Sequence, residues 1–169
     1  MTRAKVTPGS VASDDNLLVL FVPSDGVASK LSPKVSELTA ATVKDITYNL
    51  TGDGFTPGGD QATVTDDRLT LGQTLERPGR ETKSLTIKRV YGASDDVADA
   101  VLTKGVEGSL YIRWAVPYTD DIAADDIFEV WPIQAGSAMK DAPTANGVFT
   151  KTQKLFVTGE VEDATVSAT

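Results

Sequence analysis

The chain has 169 residues, 40% of them hydrophobic, with 16 Lys and Arg against 24 Asp and Glu and a formal net charge of −8. It holds no Cys and no His, which excludes thiolate nucleophiles, disulfide frameworks, His-ligated metals and the usual general base. Nor does it hold the cluster of Lys and Arg that a nucleic-acid duplex would demand; the densest stretch, Lys83 to Arg89, alternates with Leu85 and Ile87.

Residues 1–15 are polar, carry Pro8-Gly9-Ser10 and Asp14-Asp15, and lack either period that buries a segment, so they read as an N-terminal arm. They show no signal-peptide apolar stretch, and no run approaches the ~20 apolar residues of a membrane span. Leu17 to Val22 is a short apolar run stopped by Pro23, and its composition predicts a buried strand. Ser32-Pro33 offers a helix cap and a first-turn proline, with Glu37, Leu38 and Ala40 continuing for one or two turns. Lys44 to Leu50 alternates, with Ile46, Tyr48 and Leu50 on one side, as a half-buried strand would.

Residues 51–80 are the most irregular part of the chain, with Gly52, Gly54, Pro57, Gly58, Gly59 and the breaker Arg77-Pro78-Gly79. A long inter-strand loop is expected here, and its apolar members Phe55, Leu69, Leu71 and Leu75 point to a partner. Ser84 to Tyr91 alternates again, with Leu85, Ile87, Arg89 and Tyr91 facing one way. A helix is expected over 94–104, with Ser94 as cap, acids in the first turn, Gly105 as stop, and Val97, Val101, Ala98 and Leu102 as its packed stripe. Gly108 to Val116 places Leu110, Ile112, Trp114 and Val116 on one face, and Asp126 to Gln134 does the same for Ile127, Trp131 and Ile133. Both tryptophans read as core. Val148 to Val161 reads as a last strand or strand pair, and residues 161–169 as a C-terminal tail. The expected fold is mainly β, a sandwich or barrel of about seven strands with one packed helix, a long inter-strand loop and extended arms, its main domain covering 16–160.

No motif carries chemistry. Asp66-Asp67, Asp95-Asp96, Asp120-Asp121 and Asp125-Asp126 are neighbours in sequence, which point apart in a strand and outward in a turn, so they read as solvated turns or helix caps. Asp120 to Asp126 has the carboxylate density of a calcium loop without its ligand order or central glycine. The glycines of 52–59 match neither a phosphate loop nor a dinucleotide fingerprint. A hydrolase built on paired acids is disfavoured by the missing His and the scattered carboxylates.

The collinear set Thr65 to Gln73, Glu76 to Arg80, Gly105 to Gly108, Tyr111 to Tyr118, Asp126 to Gly136, Pro143 to Asn146 and Gln153 to Glu160 resembles the tail tube (major tail) proteins of siphoviruses, especially those of actinobacteriophages. Ala135 departs from the cysteine expected before the glycine. The resemblance implies a non-enzymatic virion protein without cofactor or metal, assembled in the host cytoplasm. Six copies would close a ring, and rings would stack into a hollow tube delivering DNA. Its partners would be itself, the tail terminator and tail-tip proteins, with tape measure protein and DNA passing the lumen unbound; no membrane is involved. A head-tail connector or terminator subunit, a bacteriocin tube protein, or a virion-displayed immunoglobulin-like binding module are the alternatives. Within the tube reading, Asp66, Asp67, Glu129 and Glu160 are the candidate lumen-facing acids. Gly52, Asp53, Gly54, Phe55, Pro57, Gly58 and Gly59 are the candidate inter-ring loop.

Overall fold

The computed structural model describes residues 9–168, which form eight antiparallel strands and a few short helical turns. Of the expected arm, residues 1–8 lie outside the described residues; 9–16 contain no strand or helix. The chain divides into two compact units, one of residues 1–47, 108–131 and 161–169, the other of 48–107 and 132–160.

In the first unit β1 (Leu17–Pro23) pairs with β2 (Lys44–Asp45) on one side and β5 (Glu107–Trp114) on the other. β6 (Ile127–Lys140) begins here and crosses into the second unit after Trp131. Every residue of β1 from Leu18 to Val22 is buried, which explains a continuous apolar run where a half-exposed strand would alternate. Leu18, Leu20 and Val22 pack with Leu38, Val43, Tyr111, Phe128, Val130, Ala164 and Val166. Tyr111 donates its hydroxyl to the Lys30 carbonyl at 3.0 Å, and burial pushes its pKa up to about 12.

Three expectations change in this unit. The strand over 44–50 shrinks to β2, because Asp45 Oδ1 accepts from the Thr47 amide at 2.9 Å and hydroxyl at 2.6 Å and curls the chain into a 3₁₀ turn, Thr47–Asn49. The expected C-terminal tail, 161–169, contains a strand among its described residues: β8 (Glu162–Thr165) pairs with Ile127 to Val130, and Ser167 bonds to Pro33 and Val35 at the short helix α1 (Val35–Leu38). Trp131 is buried as expected, but Trp114 is 45% exposed. β5 ends at Trp114, two residues short of the expected Val116, and Ala115 after it takes a positive φ of 59°. Trp114→Ala should therefore lower the unfolding free energy by no more than about 1 kcal/mol, which chemical denaturation will measure; a core-sized loss would contradict the placement.

The second unit orders its strands β3 (Leu50–Asp66), β4 (Leu75–Val90), β7 (Thr150–Val157) and the second half of β6. Leu85, Ile87, Leu155, Ile133 and Ala135 are buried in this sheet, as are Ala98 and Leu102 of the helical segment. That helix, α2 (Val97–Val101), is shorter than 94–104 because Asp96, not Ser94, closes the turn before it, accepting from the Gly92 and Ala93 amides. Gly105 ends the segment at φ +87°, the conformation expected of it. The largest change is in 51–80. Instead of an irregular loop, it forms most of one two-stranded ribbon, in which β3 and β4 pair from Phe55↔Ile87 to Asp66↔Leu75.

Candidate assembly interface

β4 pairs with β7 only from Leu85 to Val90, so beyond Leu85 the ribbon consists of β3 and β4 alone. At about 3.3 Å per residue, Pro57 to Asp66 extends roughly 30 Å. Residues 56–65 and 67–78 are all exposed. A lone two-stranded ribbon buries too little to be stable in water, and this one carries exposed Val64, Leu69, Leu71 and Leu75 at its end.

The expected inter-ring residues lie at the ribbon's base. Between the pairs Leu50↔Arg89 and Phe55↔Ile87, β3 holds extra residues that bulge out. Gly52 faces open space, while a Cβ on Gly54 would meet the Lys88 carbonyl oxygen at 2.2 Å. Asp53 accepts from the Thr51 hydroxyl at 2.8 Å and faces Lys88 at 3.7 Å, and these contacts lower its pKa, the hydroxyl most. Phe55 is half-buried, and Pro57, Gly58 and Gly59 continue the strand opposite Leu85, Ser84 and Lys83. This base is pinned to the sheet; the part without support is farther out.

Two buried arginines organise the polar interior, one in each unit. Arg89, 1% exposed, donates to Gln153 Oε1 and, at 3.1 Å, to Asp99 Oδ1 of α2. Gln153 in turn donates to the carbonyls of Leu102 and Gly136 at 3.1 and 2.7 Å. Lys151 bonds both Asp99 oxygens, holding that carboxyl below its usual range against the opposing effect of burial, with Arg89 assisting. A carboxylate depressed in the folded state stabilises above its unfolded pKa, near ~3.9, and loses that contribution as pH falls through the native value. Asp99→Asn should accordingly flatten the acid limb of the stability curve below about pH 4; an unchanged limb in pH-dependent denaturation would sink the assignment.

In the first unit, Arg113 donates to the carbonyls of Pro117, Asp120 and Asp121 at 3.1, 2.7 and 3.3 Å and to Asp126 Oδ2 at 2.9 Å. The acidic loop 115–126 is thus wrapped around a buried guanidinium, with its carbonyls turned inward. Neither arginine is recognisable from sequence as structural, although Arg89 stands in the apolar register of its strand.

The expected lumen acids do not form a cluster. Asp66 is paired with Arg68 at 2.8 Å, with Asp67 beside it in the ribbon turn. Glu129 of β6 accepts the Trp114 indole N–H at 2.8 Å. Glu160 is exposed in the β7–β8 connection, because the strand expected to run to 161 stops at Val157. No hydrogen bond or ion pair joins any two of these four among the described residues.

Beside Trp114, a groove of about 240 Å³ is lined by Val11, Ala12, Leu17, Trp114 and Ala115, with Ser13 and Asn16 at its side. Among the described residues no group of acids forms a metal site, and no helix is long and apolar enough to cross a membrane.

The family model of the phage tail tube protein matches residues 4–169. The chain belongs to the phage tail tube protein family. Comparison with curated proteins gives no match. Among solved structures, the tail tube chain is similar to one in the tail of an empty GTA particle, determined by helical refinement with C6 symmetry: 13% identity, TM-score 0.50, covering 86% of this chain and 93% of the other. It is also similar to a chain of the six-fold symmetrised anti-feeding prophage baseplate, at 14% identity and TM-score 0.53, covering 94% and 97%. At these identities the likeness is one of fold. Family membership makes this a structural tail tube component, and a tail component belongs to the virion.

Proposed function

We propose that six copies of this tail tube protein close a ring, and that rings stack into a hollow tube through which genomic DNA enters the host. The observation that carries the reading is the ribbon: roughly 30 Å of paired strand exposed on both faces, in a chain whose family builds tails. Such an element gains stability only by lying on another subunit, and a contact between unlike patches of identical copies propagates instead of closing on a pair. The six-fold symmetry of both structural relatives supports six copies per ring. Assembly takes place in the host cytoplasm, and terminator and tail-tip proteins cap the ends.

The lumen wall is acidic or neutral in this reading, since every inward Lys or Arg repeated from ring to ring would make a salt-dependent track for phosphate. Asp66, Asp67, Glu129 and Glu160 are proposed to face it, with Asp67 and Glu160 free of the ion pair that neutralises Asp66. Negative-stain microscopy of the purified chain tests the assembly: filaments support it, whereas single rings indicate a terminator and monomers a display module. Asp67→Lys with Glu160→Lys tests the wall. Tubes of that variant should retain DNA at low salt, and unchanged DNA delivery would exclude these acids from the lumen.

A further inference from the structure

We propose that the apolar end of the ribbon docks into the Trp114 groove of a neighbouring copy, an inference that rests on the tube assembly above. The knob is Leu69, fully exposed at the turn, flanked by Leu71, Leu75 and Val64, all exposed. Four apolar side chains at the end of an otherwise polar ribbon form the kind of patch that marks a protein contact.

The receptor matches in size and character. An apolar cavity of ~150 Å³ accepts a benzene molecule, so a groove of about 240 Å³ lined by Val11, Ala12, Leu17 and Trp114 takes a leucine side chain with room for part of a second. Trp114 closes one wall and is 45% exposed, an area that a knob would cover.

Charge names the occupant as another copy of this chain. Residues 50–90 hold six of the 16 basic and six of the 24 acidic residues. The projecting part of the ribbon, 57–84, holds four basic and five acidic residues, so the ribbon is nearly neutral and −7 of the formal −8 belongs to the remainder of the chain. Copies repel through those remainders, while the ribbon approaches a neighbour with little of that cost. Locally, Arg77 stands directly opposite Val64, with the Thr65↔Glu76 pair between it and Asp66↔Leu75, and among the described residues it has no ion-pair partner. The turn Ser13 to Asn16 beside the groove carries Asp14 and Asp15, both exposed and likewise without an ion-pair partner among the described residues. Arg77 against these acids sets the direction in which the knob enters. Each copy then presents one knob and one groove.

The absence of native cysteine makes a direct test available. Polymer of the Leu69→Cys, Ser13→Cys double variant should give, on oxidation, a ladder of intermolecular disulfide-linked species that neither single variant gives. In the unaltered protein, Trp131 is already buried, so a blue shift of tryptophan emission on polymerisation reports the covering of Trp114. Leu69→Asp should raise the concentration needed for assembly by about tenfold or more, the loss expected when a central anchor is removed. Arg77→Asp should weaken assembly and Asp14→Arg, Asp15→Arg should restore it. Polymer without cross-links and without an emission shift overturns this docking while leaving the tube intact, as does a purely intramolecular cross-link. If the unaltered chain forms no polymer under any condition, the tube reading fails and this inference fails with it.

Discussion

Replacing residues 62–80 by Asn-Gly will give a subunit that folds and melts like the parent but forms no tubes. The cut falls between Gln61 and Glu81, which are directly paired, so a two-residue turn of the type Asn-Gly favours can close the shortened hairpin in register. Everything removed is exposed or nearly so, and the strand pairs tying β4 to β7 begin only at Leu85. The subunit therefore loses little. The polymer loses the element proposed to bridge copies, and because that bridge recurs in every copy, a modest weakening at each repeat multiplies into failure of the filament. Removing Gly54 to Gly59 is a poorer experiment, because Gly54 packs under the Lys88 carbonyl and Phe55 pairs with buried Ile87. Circular dichroism with sedimentation reads both halves of the expectation; tubes of normal length from the shortened chain would show that the ribbon does not bridge copies.

Arg113→Ala will be the most damaging single change to the subunit. Its guanidinium is buried, its Nε has no hydrogen-bond partner among the described residues, and its remaining nitrogens hold three loop carbonyls and Asp126. Removing one partner of such a buried pair typically costs about 3–5 kcal/mol, or a fall in melting temperature of about 10 °C for a chain of this size. Asp126→Asn removes the ion pair but leaves the three carbonyl bonds, and should cost about 1–2 kcal/mol. Arg113→Met keeps most of the apolar stem and separates packing from hydrogen bonding. Thermal melts of the three variants decide it: equal, small losses would mean that the loop does not depend on the guanidinium.

Much of the fold is legible where side chains alone decide it. The run Leu17 to Val22 with Pro23 after it forms β1, and Trp131 and Leu102 are buried as their registers require. Sequence and structure part where a polar side chain or a distant strand decides. Asp45 captures Thr47 and ends β2. β8 exists because Ala164 and Val166 fill a core supplied by β1 and β6, an alternation of two small residues too short to stand out in the sequence.

Residues 51–80 read as a partner-seeking segment through Leu69, Leu71 and Leu75, and what the sequence does not show is that they form strands. Their Gly and Pro content argues against strand, and only cross-strand pairing, which the sequence does not display, fixes their register. Phe55 reads as a member of the same exposed set, yet half-burial opposite Ile87 gives it to the subunit. Arg113 hides because period-2 reading assigns a charged residue in a strand to solvent; the loop that buries it comes later in the chain.

The most direct measurement is cryo-electron microscopy of the polymer formed by the purified chain, averaged in cross-section and along its axis. The tube assembly predicts a hollow channel with six copies per ring, and ribbon density that leaves each subunit to lie on a neighbour. A filament without a channel, a ring of another number, or ribbons that touch no other copy would contradict it.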